Sequence, residues 1–223
     1  MIKPQDIYNQ LTDLTAALIA SSLCEDQNYP SIVQCANNIV EISITEGDFS
    51  VFLKNIPYYE MYNIALEKRL YNIKMLDGAL ITLSYKFSKN QIIAHRLAYF
   101  PAPDLEAFQN EPEIYMDDEL YVDVLDNRIV TVPIRFDFDI NASQPKEHPV
   151  SHLTLGQYKN CRIPVSSALT PYQFIQFITY NFYNSAKAQL QIANYKRKFE
   201  DTILQEEREL VHINTPLYQS NAT

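Results

Sequence analysis

Glycine is nearly absent from this chain: three residues in 223, where average usage of about 7% would supply roughly fifteen. A G-x-G-x-x-G fingerprint or a G-x-x-x-x-G-K-[ST] loop needs clustered glycines. Gly47, Gly78 and Gly156 stand far apart, which excludes phosphate cradling by a glycine loop. Tryptophan is missing altogether, and cysteine comes to three. Cys24, Cys35 and Cys161 are an odd set without C-x-x-C spacing, so neither a disulfide framework nor a zinc knuckle is indicated. No apolar run approaches the roughly 20 residues that span a bilayer. The opening MIKPQDIYNQ has neither the basic start nor the apolar core of a secretory signal. The expectation is a soluble, cytoplasmic protein with reduced thiols and no membrane contact.

What is present is unevenly charged. Residues 101–140 hold eleven acids against Arg128 and Arg135, which equals the whole net charge of −9. Residues 146–198 run the other way, with seven lysines and arginines against Glu147 alone. A basic segment of this kind presents a local anion-binding face despite the acidic total. The acidic total argues against a broad non-specific footprint on DNA.

The hydrophobic pattern predicts an α+β fold: a mostly antiparallel sheet with an N-terminal helix and two C-terminal helices, in a single domain over 1–223. Ile7, Leu11, Leu14 and Leu18 recur at helical spacing within 4–23, and Pro4 suits a first turn. An extended pair, 38–46 and 48–54, is expected to turn at Glu46-Gly47-Asp48. A second helix runs from Pro57 to about Lys68. Asp77-Gly78 separates Tyr71–Leu76 from Ala79–Phe87, a strong hairpin signal, and Gln91–Phe100 makes the next strand. Residues 104–127 read as an exposed acidic loop, and Ile129–Ile140 as a strand with Arg135, Asp137 and Asp139 on one face. Short strands at His152–Leu155 and Arg162–Val165 bracket Gly156. Thr170-Pro171 caps a helix to about Tyr183 that is apolar nearly all round. A last helix over 186–212 would be roughly 40 Å long and extend from the domain.

One constellation carries chemistry. Within thirty residues the chain places Arg135, Asp137, Asp139, His148, His152 and Arg162, as R-F-D-F-D, then H-P-V-S-H-L-T-L-G, then C-R-I-P. Histidine moves protons near neutral pH. Aspartate orients a histidine, holds a metal or acts as a base, and arginine clamps phosphate or carboxylate. That is the inventory phosphodiester cleavage requires. In a fully extended segment His148 and His152 would lie roughly 13 Å apart, too far to act together unless the chain bends at Pro149. Asp137 and Asp139 would lie about 7 Å apart on their strand face, close enough to share a substrate or a divalent metal. Each residue also has an ordinary reading: a solvated strand face that blunts edge pairing, a structural histidine, a loop residue before proline, or arginines paired with the acidic stretch. His95 and Arg96 in the third strand could join this group, though a structural role is the better reading for them, and His212 reads as solvent-facing.

The stretches L-D-G-A-L-I-T-L-S-Y, H-R-L-A-Y-F-P-A-P, R-F-D-F-D, H-P-V-S-H-L-T-L-G, C-R-I-P and T-P-Y-Q-F-I-Q-F resemble a bacterial family filed as domain of unknown function 2290. The similarity runs from about residue 70 to 183, and H-P-x-x-H…R-I-P is its most specific part. The resemblance implies a bacterial source, one shared domain and a setting among mobile or defence-related genes, but no activity.

Two readings follow. The first is a phosphodiester hydrolase, an RNase-like or other nuclease effector of a bacterial defence or toxin-type system acting on RNA or DNA. In it His152 is general base or acid, and His148 is the second proton-transfer group or a metal ligand. Asp137 and Asp139 orient a histidine or hold a divalent ion, and Arg135 and Arg162 steady the phosphate. The second is a non-catalytic subunit of a defence complex that binds a protein partner through the C-terminal helices or the acidic segment. A tight bend at Gly156 would set His152 and Arg162 on neighbouring strands.

Overall fold

The computed structural model describes residues 2–44, 51–52, 56–103, 132–158, 160–183, 195 and 197–216. Within them the chain forms one nine-stranded sheet with four helices. Helix α1 spans Pro4–Ala20, and β1 and β2 are Cys24–Gln27 and Pro30–Gln34. Strand β3 is Ile39–Ile44, helix α2 Tyr58–Glu67, β4 Ile73–Met75, β5 Leu80–Ser88 and β6 Gln91–Phe100. Then come β7 at Ile134–Asp139, β8 at Ser151–Leu155, β9 at Ile163–Pro164, α3 at Pro171–Phe182 and α4 at Gln205–Arg208. The strand order is β1-β4-β5-β6-β7-β8-β9, with β3 pairing the far end of β5 and β2 pairing β3. Every pairing is antiparallel. The α+β class and its helical ends match the pattern in the sequence.

Period-2 alternation gives the sheet two unlike faces. Leu83, Tyr85 and Phe87 of β5, Leu97 and Tyr99 of β6, Phe136 and Phe138 of β7 and Leu153 of β8 are buried in the main core. Ile7, Leu11, Leu14 and Leu18 of α1 and Phe174, Ile175 and Ile178 of α3 close that core from outside. Each such side chain contributes about 1.5–3 kcal/mol by leaving water. Helix α1 starts at Lys3, whose backbone N–H donates to the Asp6 carboxylate at 2.9 Å. Helix α3 starts at Thr170, whose hydroxyl accepts from the Gln173 N–H at 3.3 Å, as a threonine N-cap should. The aromatic helix is therefore part of this chain's own core.

Among the described residues the opposite face is covered at one end. Met61, Tyr62 and Ala65 of α2 pack with Leu80, Ala98 and Phe100 in a second, smaller core. Phe52 joins it by stacking on Phe100 with ring centroids 4.6 Å apart. Gly78 turns β4 into β5 at φ +82°, where a Cβ would meet Ala102 Cβ at 3.2 Å. Beyond α2 the described residues of this face are largely polar.

Three expectations are corrected. Strand β3 pairs β2 and β5 rather than a segment at 48–54. Asn37 and Asn38, at φ +59° and +57°, make the turn before it, a conformation asparagine tolerates. Val51 and Phe52 are buried in a short helical turn, and the turn at Glu46-Gly47-Asp48 lies outside the described residues. The long helix over 186–212 is not formed where that stretch is described: 197–204 is non-helical and α4 is four residues. Backbone groups at the sheet margin claim this segment instead. Thr202 and Ile203 donate to the Ser166 carbonyl, and Ile213 donates to that of Pro164. Phe199 meanwhile packs on Phe87 in the main core. Strand β7 also begins later than expected, at Ile134, directly after Pro133. The acidic loop at 104–127 and residues 184–194 lie outside the described residues.

Candidate active site

The polar face of the sheet is the floor of a cleft of about 740 Å³. Register builds it. Ser84, Arg96, Asp137 and His152 stand directly opposite one another on β5, β6, β7 and β8. The next row toward α2 is Thr82, Ala98, Arg135 and Thr154, and on the other side lie Lys86, Ala94 and Asp139. All six residues singled out in the sequence line this one cleft: Arg135, Asp137, Asp139, His148, His152 and Arg162. Arg96, Lys86, Glu41 and Tyr158 line it too. Arg96 could be placed there only by knowing the β6–β7 register, since nothing in the local sequence reveals its partner.

Asp137 organises the floor. Its Oδ1 accepts from Arg96 Nε at 3.0 Å, and its Oδ2 accepts from Arg135 Nε at 2.5 Å. The carboxylate is 11% exposed. Burial alone would push its pKa up, but the two guanidiniums outweigh that and hold it below the usual aspartate value. Each arginine meets Asp137 through Nε, and among the described residues its two terminal nitrogens carry no ion pair and can face an anion. Each carboxylate oxygen of Asp137 thus accepts one guanidinium hydrogen bond. Asp139 caps the end of β7 by accepting the Asn141 N–H at 2.8 Å. Among the described residues no three His, Cys, Asp or Glu side chains are grouped to hold a metal ion.

The two histidines meet because the chain bends at Pro149. Their rings are 4.9 Å apart in an edge-to-face arrangement, far closer than an extended segment allows. The bend is fixed at 3.0 Å by the His152 Nδ1 and the Pro149 carbonyl. A carbonyl only accepts, so Nδ1 carries the proton and Nε2 is left with its lone pair. That Nε2 is 3.8 Å from Asp137 Oδ2, so a proton arriving there is met by a carboxylate. Burial lowers the His152 pKa from the ordinary histidine value, and the charges of His148 and Arg162 add to the effect. His148, half-buried and nearer solvent, is lowered by burial and by Arg162. Arg162 donates to the Glu147 carbonyl at 3.3 Å and makes no ion pair among the described residues.

One wall of the cleft is the connection from β8 to β9. Gly156 opens it at φ +62°, which brings Arg162 back beside β8, where His152 pairs Pro164. Gln157 Nε2 donates across to the Ile56 carbonyl at 3.1 Å. The cleft holds four cations (Lys86, Arg96, Arg135, Arg162) and three carboxylates (Glu41, Asp137, Asp139), a locally positive site in a protein of charge −9. His95 also borders the cleft, but its ring is held between those of Tyr85 and Phe138.

A mixed sheet-and-helix protein with a histidine- and arginine-lined cleft on one sheet face is the class these observations define. The chain belongs to the family described as uncharacterized conserved protein (DUF2290), which it matches over residues 23–215. That span takes in all nine strands and α2 to α4, leaving out only α1 among the elements, and extends beyond the 70–183 stretch noted in the sequence. No curated protein and no solved structure matches it significantly. No helix among the described residues is long and apolar enough to cross a membrane.

Proposed function

We propose that the cleft binds and cleaves a phosphodiester, as a nuclease effector acting on RNA or DNA. The observation that carries this reading is the His152 Nε2. It is unprotonated by virtue of the Nδ1 bond to Pro149, it is backed by Asp137, and it shares a cleft with three arginines. Arg96, Arg135 and Arg162 hold the phosphate and offset the charge that builds on it as the reaction proceeds. His152 Nε2 takes the proton from the attacking hydroxyl or water, whose oxygen forms the new bond to phosphorus. Asp137 stabilises the imidazolium formed. The bond to the leaving oxygen breaks, and that oxygen receives the proton by way of His148. Asp137 is thus a positioning residue, holding two guanidinium forks and facing the base.

The competing subunit reading has less to rest on. The long helix is absent from the described part of 186–212, α3 gives Phe174, Ile175 and Ile178 to its own chain's core while Tyr180 and Phe182 stay exposed, and the acidic segment lies outside the described residues.

The test is cleavage of labelled RNA and single-stranded DNA by purified protein, with and without EDTA, compared with His152→Ala and Arg162→Gln. A loss of at least 100-fold in His152→Ala is expected, in the range general acid–base groups supply. Equal cleavage by His152→Ala, or none by the parent on any substrate, would sink the reading.

A further inference from the structure

We infer that the cleft takes its phosphodiester as a single strand, with one base stacked on Tyr158 and the adjoining phosphate on Arg162. This rests on the phosphodiester reading above and names its substrate class.

Tyr158 is 74% exposed, more than any other aromatic among the described residues, yet it lines the cleft. Its ring is also held in place. A Cβ built on Gly156 would lie 3.4 Å from both Cδ2 and Cε2 of Tyr158, so the ring rests against the bare glycine backbone. The tie from Gln157 to Ile56 anchors the preceding residue, and the Tyr158 carbonyl accepts from the Cys161 N–H. An aromatic ring braced on one side and bare on the other is a stacking platform. Four residues on, Arg162 supplies a guanidinium with no ion pair among the described residues.

An aromatic face beside a positively charged groove is how single strands are bound without regard to sequence, because every base has a π-face. In a duplex the base faces are already stacked on their neighbours, so Tyr158 has nothing to cover. The cations on the floor then track the backbone toward His152. Gly156 itself is required by the turn, at φ +62° with Val132 Cγ1 3.3 Å from where a Cβ would stand, and the Tyr158 ring lies over it at ordinary contact distance.

The experiment measures equilibrium binding, by fluorescence anisotropy, of a labelled single-stranded oligoribonucleotide methylated at every 2′-oxygen, so that no internal attack consumes it. The same strand in a duplex is the comparison. The full chain and its Tyr158→Ala, Tyr158→Trp and Arg162→Gln variants are used, because substitution at an exposed ring leaves the core intact. The single strand should bind at least 10-fold tighter than the duplex. Tyr158→Ala should weaken it about 10-fold, the factor given by about 1.4 kcal/mol of stacking. Tyr158→Trp should retain full affinity, and Arg162→Gln should flatten the salt dependence. Duplex binding as tight as single-strand binding, or Tyr158→Ala binding like the parent, overturns the inference. The two readings fail separately. Tyr158-dependent binding without cleavage removes the enzyme and keeps the single-strand site. His152-dependent cleavage indifferent to Tyr158 removes the stacking site and keeps the enzyme.

Discussion

Asp137 and His152 face each other across the β7–β8 pairing, with Asp137 Oδ2 3.8 Å from His152 Nε2. The carboxylate favours a proton on the imidazole, while burial and the Arg162 charge oppose it, and the opposing effects prevail. His152 is therefore neutral at pH 7. The acid limb of kcat/KM should fall at an apparent pKa below 6.5, the ordinary histidine value, as a joint property of the His148–His152 pair. Removing the Arg162 charge with Arg162→Gln should move that limb to higher pH. A pH–rate profile of the parent and the variant checks both, and an acid limb at or above 6.5 in the parent would contradict the neutral-base assignment.

Replacing Asp137 with Asn should act on both stability and chemistry. An amide cannot serve both Arg96 and Arg135, because its nitrogen donates where a second acceptor is needed. Loss of one charge-assisted hydrogen bond at this largely buried site costs about 2 kcal/mol, read as a lowered urea midpoint with unchanged slope. The acid limb of the rate profile should move to lower pH, opposite to Arg162→Gln, because the charge favouring protonated His152 is gone. A purely structural Asp137 would lower the midpoint and leave the profile where it was.

The sequence made much of this arrangement legible. Alternation in Gln91–Phe100 and the Asp77-Gly78 turn delimit β5 and β6 because both rest on local sterics. Strands β1 and β2 escape notice because each is short and mostly solvated, with Ile32 and Val33 themselves over 40% exposed. The pairing of β3 to β5 joins segments some forty residues apart, and no local signal encodes it. Tyr195, Phe199 and Ile203 fit a helical stripe equally well as an extended segment with scattered inward side chains. Backbone hydrogen bonds offered by Ser166 and Pro164 decided between them. At the site, the face shared by Arg135, Asp137 and Asp139 was readable from period 2, and the closeness of His148 to His152 hinged on Pro149. Arg96 was not, because its role depends wholly on which strand lies beside β6.

Acid should destabilise the fold through His95. Its Nε2 accepts the Leu169 N–H at 3.0 Å just before α3, so Nδ1 carries the proton and has no partner. Burial lowers its pKa to about 3, against about 6.5 in an unfolded chain. The unfolded state thus binds the extra proton between those values, and stability that is complete above pH 6.5 declines as pH falls toward 3. Between pH 7.5 and 4.5 this one group should cost on the order of 3 kcal/mol. Chemical denaturation at the two pH values should show that difference shrinking in His95→Gln, which can keep an acceptor for Leu169 without a group that protonates. An unchanged difference would assign the acid sensitivity elsewhere.

Gly156 offers the sharpest separation of binding from folding. At φ +62° an alanine is strained by about 1–2 kcal/mol, and its Cβ would sit 3.3 Å from Val132 Cγ1 and 3.4 Å from the Tyr158 ring. Gly156→Ala should therefore lower stability by that modest amount. Gly156→Asn should lower it less, because asparagine enters this region more readily. At 3.4 Å the added Cβ only touches the tyrosine ring, so both variants should hold single-strand binding near the parent's despite their different stabilities. Urea melts and anisotropy titrations on the two variants check this together. Binding that fell along with stability would mean instead that the strained turn at Gly156 also sets the position of the Tyr158 ring.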